Sequence, residues 1–413
     1  MTDYTKKLGT AIATVAILAQ SYTGLAFAGT TINITGNAAN SDNDATVNID
    51  HNTDVNQSNT ANFTNNVDGD ATTGGNDANQ NNGGDVNIQT GDASVNATVS
   101  NSANQNWANV DCCGQGDTAV KIAGNGADSN NTVNLDLDNK VDVDQDNDAD
   151  FDNNIKYLNA ETGDNDANQN NGGSVEIQTG NASATVNVSN WANANSARVG
   201  GDGDGASVSL WIVNNAANSD NDITVNLDSN TDVNQDNNAH FDTNVDADAK
   251  TGGNDANQNN GGDVLIDTGD AAVDVTVDNL ANFNWADVNC GCTFGEGGLE
   301  VLVDGNGFDS DNNVNGDFDF DQDLDQDNDA DFDNNVKNSD AKTGHNDANQ
   351  NNGGADGDPS VETGDADVDV NVSNSANVNG IGGDEPEWPT WNWGGLNISL
   401  SFDLSDILDA LGL

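Results

Sequence analysis

The sequence predicts an all-β fold: a β-solenoid built from four repeats of about 90 residues, with a short C-terminal cap or docking segment. One nine-residue string recurs four times along the 413 residues, apolar side chains alternate with a period of two, and helix signals are nearly absent before residue 400. Such alternation is typical of half-buried strands, and tandem repeats bury their cores by stacking on one another. These three observations together favour strands stacked coil on coil.

The repeats are marked by the string Asn-Asp-Ala-Asn-Gln-Asn-Asn-Gly-Gly, which begins at Asn76, Asn165, Asn254 and Asn346 with offsets of 89, 89 and 92. A second marker keeps a similar spacing and begins at Gly36, Gly124, Asn214 and Gly305. A constant order of features indicates tandem duplication. The chain therefore divides into a signal peptide (1–28), four repeats (29–118, 119–207, 208–297 and 298–382) and a Trp/Pro linker with an amphipathic C-terminal segment (383–413).

Alternation within each repeat predicts which side chains face the core. In the second repeat one parity holds Val143, Gln145, Asn147, Ala149 and Phe151, while the other parity is almost entirely acidic. The small inward residues suit a thin core, and inward Asn and Gln can bond to their equivalents in neighbouring coils as ladders. We expect the equivalent phenylalanines to be buried at corresponding positions: Phe63, Phe151, Phe241 and Phe332. Asn and Gly suit the left-handed corners that the coils require.

Two other folds compete with the solenoid. A row of four immunoglobulin-like sandwiches would also use units of roughly 90 residues, close to the usual size of that domain. The absent Cys…Trp…Cys spacing, the 3 prolines and the polar inward positions weigh against it. Disorder is suggested by the composition, with 34% hydrophobic residues and a net charge of −61, but strict alternation is not typical of disordered chains.

The charge excludes several functions. Against 70 acidic side chains the sequence has 9 basic ones, too few to form a groove for nucleic acid or to attract an anionic membrane surface.

The three histidines, at positions 51, 240 and 345, are not equivalent between repeats, and no nucleophile motif or phosphate-binding loop is present. The sequence therefore predicts no catalytic residues and a non-enzymatic role.

The N-terminus resembles a secretory signal peptide. Lys6 and Lys7 precede an apolar stretch over residues 11–19, and Ala26-Phe27-Ala28 has the small-x-small pattern of a cleavage site. No later apolar run reaches the ~18–20 residues of a membrane span. We therefore expect a protein that is secreted or displayed on the cell surface.

The outward parity carries two long runs of aspartate, here called the combs. The comb of the second repeat consists of Asp136, Asp138, Asp142, Asp144, Asp146, Asp148, Asp150 and Asp152. The comb of the fourth repeat consists of Asp317, Asp319, Asp321, Asp323, Asp325, Asp327, Asp329, Asp331 and Asp333. Carboxylates every ~6.6–6.8 Å along a strand, with others ~4.8 Å away on adjacent strands, repel one another. Because Ca²⁺ tolerates irregular oxygen cages, the combs predict calcium binding; a solvated face that maintains solubility is the alternative.

The cysteines form two pairs, Cys112–Cys113 and Cys290-x-Cys292. With about 20 residues in each coil, the pairs would lie ~40 Å apart, too far for a shared zinc site. Local disulfides and cross-links between chains are the remaining interpretations in an oxidising compartment.

The run from Val55 to Phe63, Val-x-Gln followed by Asn-x-Ala-x-Phe, resembles the curlin repeats and other Asn/Gly/Gln-rich bacterial surface β-solenoids of the adhesin type. The spacing differs from the curlin pattern, and the aspartate content is higher. The resemblance implies structural or adhesive work outside the cell.

These observations predict a secreted, highly acidic repeat protein that acts as a structural or adhesive element of the cell surface or extracellular matrix and binds Ca²⁺ on rows of Asp. Its candidate partners are divalent cations, other surface or matrix components, and copies of itself. One alternative is a binder of ordered inorganic surfaces such as mineral or ice. A polysaccharide-active enzyme on a β-helix is disfavoured, because no Arg or Lys cluster is present to neutralise an acidic sugar.

Overall fold

A computed structural model describes residues 10–12, 17–22, 29–110, 117–200, 207–289, 298–353, 359–382, 391–393 and 396–398. Its N-terminal strands are β1 (Thr10–Ile12) and β2 (Ile17–Tyr22). The first repeat contains β3 (Thr30–Thr35), β4 (Asp42–Gly74), β5 (Val86–Gln89) and β6 (Ala93–Val110). The second contains β7 (Thr118–Ala123), β8 (Asn130–Gly163), β9 (Val175–Gln178) and β10 (Ala182–Gly200).

The third repeat contains β11 (Val208–Val213), β12 (Asp220–Gly252), β13 (Val264–Thr268) and β14 (Ala271–Asn289). The fourth contains β15 (Leu299–Asp304), β16 (Asp311–Val336), β17 (Asp340–Lys342), β18 (Ser360–Thr363) and β19 (Ala366–Ile381). β20 (Trp391–Trp393) and β21 (Leu396–Ile398) follow. No helix occurs in the described residues, so none there could span a membrane.

Equivalent strands of successive repeats pair in parallel and in register, and they form four parallel sheets. In one sheet the four long strands lie in the order β16-β12-β8-β4. In a second sheet the order is β19-β14-β10-β6, so both sheets run from the fourth repeat to the first. Val143, for example, lies opposite Val55 on one side, and the equivalent Val233 pairs with Val143 on the other. The all-β, solenoid-like architecture predicted from the sequence is therefore confirmed; each repeat is called a layer below.

The length of a coil is the main correction to the sequence analysis. A coil of about 20 residues would place several coils in each repeat. In the structure each repeat forms a single coil, because equivalent residues 88–95 positions apart pair directly, one strand spacing of about 4.8 Å apart. Val110, the last described residue before the first cysteine pair, and Val288, the last but one before the second pair, therefore lie two layers apart, about 10 Å. The separation of ~40 Å assumed from short coils does not apply to these two valines. The four cysteines themselves lie outside the described residues, so their pairing stays a prediction.

Each layer is a flat loop with two walls. The long strand β8 forms one wall, and β7 and β10 lie opposite its two halves, so Leu135 packs near Ile122 and Phe151 near Ala192. At about 3.3 Å per residue, the 34 residues of β8 extend for roughly 110 Å. Small side chains between the walls make the thin core that the sequence predicted.

The phenylalanine column confirms the inward parity. Ring centroids are 5.0 Å apart from Phe63 to Phe151, 4.8 Å from Phe151 to Phe241 and 5.4 Å from Phe241 to Phe332. Phe151 and Phe241 are fully buried, and the two end members are half-buried because each has a layer on one side only.

Amide ladders run through the core, as predicted. Along the glutamine ladder, Nε2 to Oε1 distances are 2.7 Å from Gln145 to Gln57, 2.8 Å from Gln235 to Gln145 and 2.7 Å from Gln326 to Gln235. The ladder of Asn59, Asn147, Asn237 and Asn328 has distances of 3.0, 3.0 and 2.9 Å. These bonds satisfy groups that would be costly to bury without partners, and they hold equivalent residues in register.

The two markers of the repeat form the turns at the ends of each layer. At the first marker Gly36, Gly124, Asn214 and Gly305 have φ of 72°, 68°, 59° and 66°. In the nine-residue string the glutamine is left-handed in every layer, with φ between 54° and 62° at Gln80, Gln169, Gln258 and Gln350. Asn and Gly tolerate this conformation best, which explains the residues at the first marker; the left-handed glutamine of the string does not follow from this preference.

The terminal segments differ from the layers. β1 and β2, within the predicted signal peptide, pair in parallel with β6. β20 and β21 form an antiparallel pair of their own, and among the described strands neither pairs with the fourth layer. Most of residues 383–413 lie outside the described residues, so the cap or docking segment stays a prediction.

Candidate cation-binding columns of aspartate

All predicted comb residues lie on the outer face of the long-strand sheet. Those of β8 and β16 alternate with inward residues over their whole length, as the parity required. The combs are not adjacent, because β12 lies between β8 and β16. The repulsion between neighbouring combs that the sequence suggested is therefore reduced.

The outer face of β12 carries four aspartates at the comb positions, fewer than either comb. Opposite the nine comb positions of β16 it places Asn226, Asp228, Asn230, Asp232, Asn234, Asp236, Asn238, His240 and Asp242. Its amides bond to the comb below: Asn226 Nδ2 donates to Asp136 Oδ1 at 2.9 Å, and Asn238 Nδ2 donates to Asp148 Oδ1 at 3.2 Å. β12 therefore separates the two combs, and its amides solvate the comb of β8.

At three places all four layers contribute an aspartate. The first column consists of Asp50, Asp138, Asp228 and Asp319, and the second of Asp54, Asp142, Asp232 and Asp323. The third consists of Asp77, Asp166, Asp255 and Asp347, which lie in the nine-residue string and form isolated bridges between layers. Each column places carboxylates at the strand spacing of about 4.8 Å.

One inner member of each column has a raised pKa: Asp138 in the first, Asp232 in the second and Asp255 in the third. Partial burial is the first cause for Asp232, followed by the charges of Asp142 and Asp323, and together they raise its pKa above the ordinary 3.8. Asp255 behaves in the same way between Asp166 and Asp347. Asp138, Asp236, Asp242 and Asp248 also have raised pKa values, with burial as the first cause. The columns therefore contain carboxylates that are unfavourably charged at neutral pH.

Few cations balance this charge. Lys250 Nζ lies 2.6 Å from Glu161 Oε1 and 3.3 Å from Asp164 Oδ1, which raises the pKa of the lysine. Lys140 Nζ lies 3.4 Å from Asp142 Oδ2 in the second column. The first and third columns have no ion pair with a lysine, arginine or histidine within the part of the chain that the structure describes.

The columns are open rows. In the described part of the chain, no three His, Cys, Asp or Glu side chains converge as the ligands of a closed metal centre do. Oxygen donors at a regular spacing can still bind a hard cation between neighbouring carboxylates, with water completing its coordination. The arrangement can therefore neutralise charge along a column.

Sequence reasoning found the faces but missed the columns. Asp50, Asp54, Asp228, Asp232 and the third column did not belong to either comb, so they were not predicted as ligands. Alignment of the repeats at offsets of 88–91 over the long strands would have shown an aspartate in every copy.

Neither a scan against protein-family models nor searches of curated proteins and of solved structures returned a match.

The raised pKa values predict that the protein becomes more stable as the pH falls from 7. Because these carboxyls hold their protons more tightly in the folded protein, their contribution is fully present below pH 3.8 and is lost as the pH rises through their raised values. The measurement is the thermal midpoint in EDTA across this range. Asp242→Asn should reduce the change of the thermal midpoint with pH. A wild-type thermal midpoint that rises steadily towards pH 7 would contradict the prediction.

Proposed function

We propose that the protein is a secreted structural or adhesive element of the cell surface or extracellular matrix, stiffened by Ca²⁺ bound along the aspartate columns. In this proposal it is a β-solenoid with one repeat per coil, residues 1–28 direct export, and residues 383–413 cap the stack or dock to a partner. The proposal includes no catalytic activity.

The observation that supports it best is the alignment of acidic side chains through all four layers. A cation between two members of a column neutralises charge on adjacent layers and so joins them. An extended face of roughly 110 Å, held in register by buried ladders, suits mechanical or adhesive work better than recognition of a small ligand in a cavity.

The test compares two triple variants that remove the same number of charges. The column variant carries Asp138→Asn, Asp228→Asn and Asp319→Asn, three members of the first column. The control variant carries Asp321→Asn, Asp325→Asn and Asp329→Asn, whose neighbours in β12 are Asn230, Asn234 and Asn238. Both should be more stable than wild type in EDTA, because repulsion is reduced.

In millimolar Ca²⁺ the two variants should differ. Wild type and control should gain stability by RT ln(1 + [Ca²⁺]/Kd) for each site, about 2.7 kcal/mol at a hundredfold excess over Kd. The column variant should lose most of this gain and bind fewer ions in calorimetric titration. Equal calcium responses in the two variants would show that the columns are only a solvated face.

A further inference from the structure

The stack ends in two open edges. β16 has a strand partner only in β12, and β19 only in β14, among the described residues. The fourth layer therefore exposes apolar side chains whose equivalents are buried: Phe318 is 47% exposed, whereas Leu137 in the same column is 5% exposed. At the other end, β4 pairs only with β8 among the described strands, while β6 also carries β1 and β2. Long unpaired edges of this kind are templates for another strand.

The two edges are complementary in hydrogen bonding. Each ladder asparagine donates Nδ2 to the following layer, as Asn147 does to Asn237 and Asn237 does to Asn328. Each ladder glutamine donates in the opposite direction, as Gln326 Nε2 does to Gln235 Oε1. The fourth layer therefore presents an asparagine donor and a glutamine acceptor, and the first layer presents the reverse through Asn59 and Gln57. In these two ladders the donor at one edge therefore has its acceptor in the same column at the other edge.

Charge also alternates in a way that makes the two edges compatible. At the nine comb positions the fourth layer has an aspartate throughout and the second has eight, with Lys140 at the ninth. The first layer has aspartate at only two of them, Asp50 and Asp54. The number of aspartates at these positions is thus two, eight, four and nine from the first layer to the fourth, and a first layer placed on a fourth layer continues this alternation of few and many. Placing a fourth layer on a fourth layer would oppose two combs.

We infer that the fourth layer of one copy docks on the first layer of a second copy, in the register that already joins the layers within the chain. The contact is heterologous, so it repeats without closing and generates a filament that rises by about 19 Å per copy. β1 and β2 pair with Thr98–Ser100 and Gln105–Val110 of β6, where β19 of the second copy would lie. Assembly therefore requires residues 1–28 to leave this edge.

Gly91 provides a variant that separates assembly from folding. A Cβ at the equivalent Gly180, Gly269 and Gly364 would lie 2.5–2.6 Å from backbone atoms of the preceding layer. A Cβ at Gly91 meets nothing within 4 Å, and its φ is not in the positive range. In the stacked register that Cβ would face Gly364 of another copy. Gly91→Ala should therefore leave the single molecule unchanged and block docking.

The experiment uses the chain from Gly29 onward, which retains every residue of the five core clusters. Sedimentation velocity and electron microscopy are carried out in EDTA at about 0.5 M NaCl, where the Debye length is only about 4–5 Å. Because calcium is absent, failure of assembly is distinct from failure of calcium binding. Ser58→Ala, at an exposed outer position of the same layer, is the matched control.

Wild type and Ser58→Ala should form filaments with a strand spacing of about 4.8 Å perpendicular to the strands. Gly91→Ala should need at least about tenfold more protein to assemble, with an unchanged thermal midpoint at low concentration. The full chain should assemble more slowly than the chain from Gly29. A wild type that stays monomeric, as it would if residues 383–413 covered the fourth layer, overturns the inference, and so does a Gly91→Ala variant that assembles like wild type.

Discussion

Replacing Phe241 with alanine will lower the free energy of unfolding by about 3–5 kcal/mol. The ring is fully buried and lies between the rings of Phe151 and Phe332, at centroid distances of 4.8 and 5.4 Å. Its removal leaves a cavity that the layers cannot close, because the backbones on either side are fixed by their own strand pairing. Chemical denaturation followed by circular dichroism measures the loss.

Phe332→Ala serves as the matched control for this substitution. The same ring in the fourth layer is half-buried and has a layer on one side only, so we expect a clearly smaller loss. Equal losses at the two positions would mean that burial within the stack does not determine how much each phenylalanine contributes to the free energy of unfolding.

Replacing Gly163 with alanine will lower the free energy of unfolding by a similar amount, about 3 kcal/mol or more. Gly163 has φ of 115°, a conformation that costs other residues about 1–3 kcal/mol. A Cβ there would also lie 1.9 Å from the carbonyl oxygen of Gly252 in the next layer. Because this oxygen is part of the backbone, the layers must separate locally to accommodate the methyl group.

Gly36→Ala distinguishes the two causes. Gly36 is left-handed, with φ of 72°, but a Cβ there would meet nothing within 4 Å. We expect Gly36→Ala to be destabilised only by the unfavourable backbone conformation and not by a clash between layers. Its denaturation midpoint should therefore lie between those of wild type and Gly163→Ala. If the two alanine variants unfold at the same denaturant concentration, contact between layers is not the dominant cause.

The strand parity was predictable because alternation is a local property of the chain. Val143, Asn147 and Phe151 all lie inward as their spacing required, and each bonds or packs with its equivalents. The ladders followed from the same reasoning, since inward Asn and Gln are acceptable only when their equivalents stack upon them.

Coil length was not predictable from alternation alone. A period of two continues without change through a strand of any length, and β8 at 34 residues far exceeds the usual 3–10. The columns were missed for a related reason, because they depend on register between repeats. That register shifts at the bulge near Tyr157, where the offset from the first repeat changes from 88 at Ile155 to 89 at Leu158.

One repeat per layer also determines how the molecule would respond to tension. The first and fourth layers lie at opposite ends of the stack, so a force applied through them would peel layers apart in sequence. Each layer that detaches releases about 89 residues, roughly 300 Å of extended chain, while the layers behind it keep their ladders. The stack would therefore lengthen in discrete steps and dissipate work at each one, so that extension and breakage are separate events.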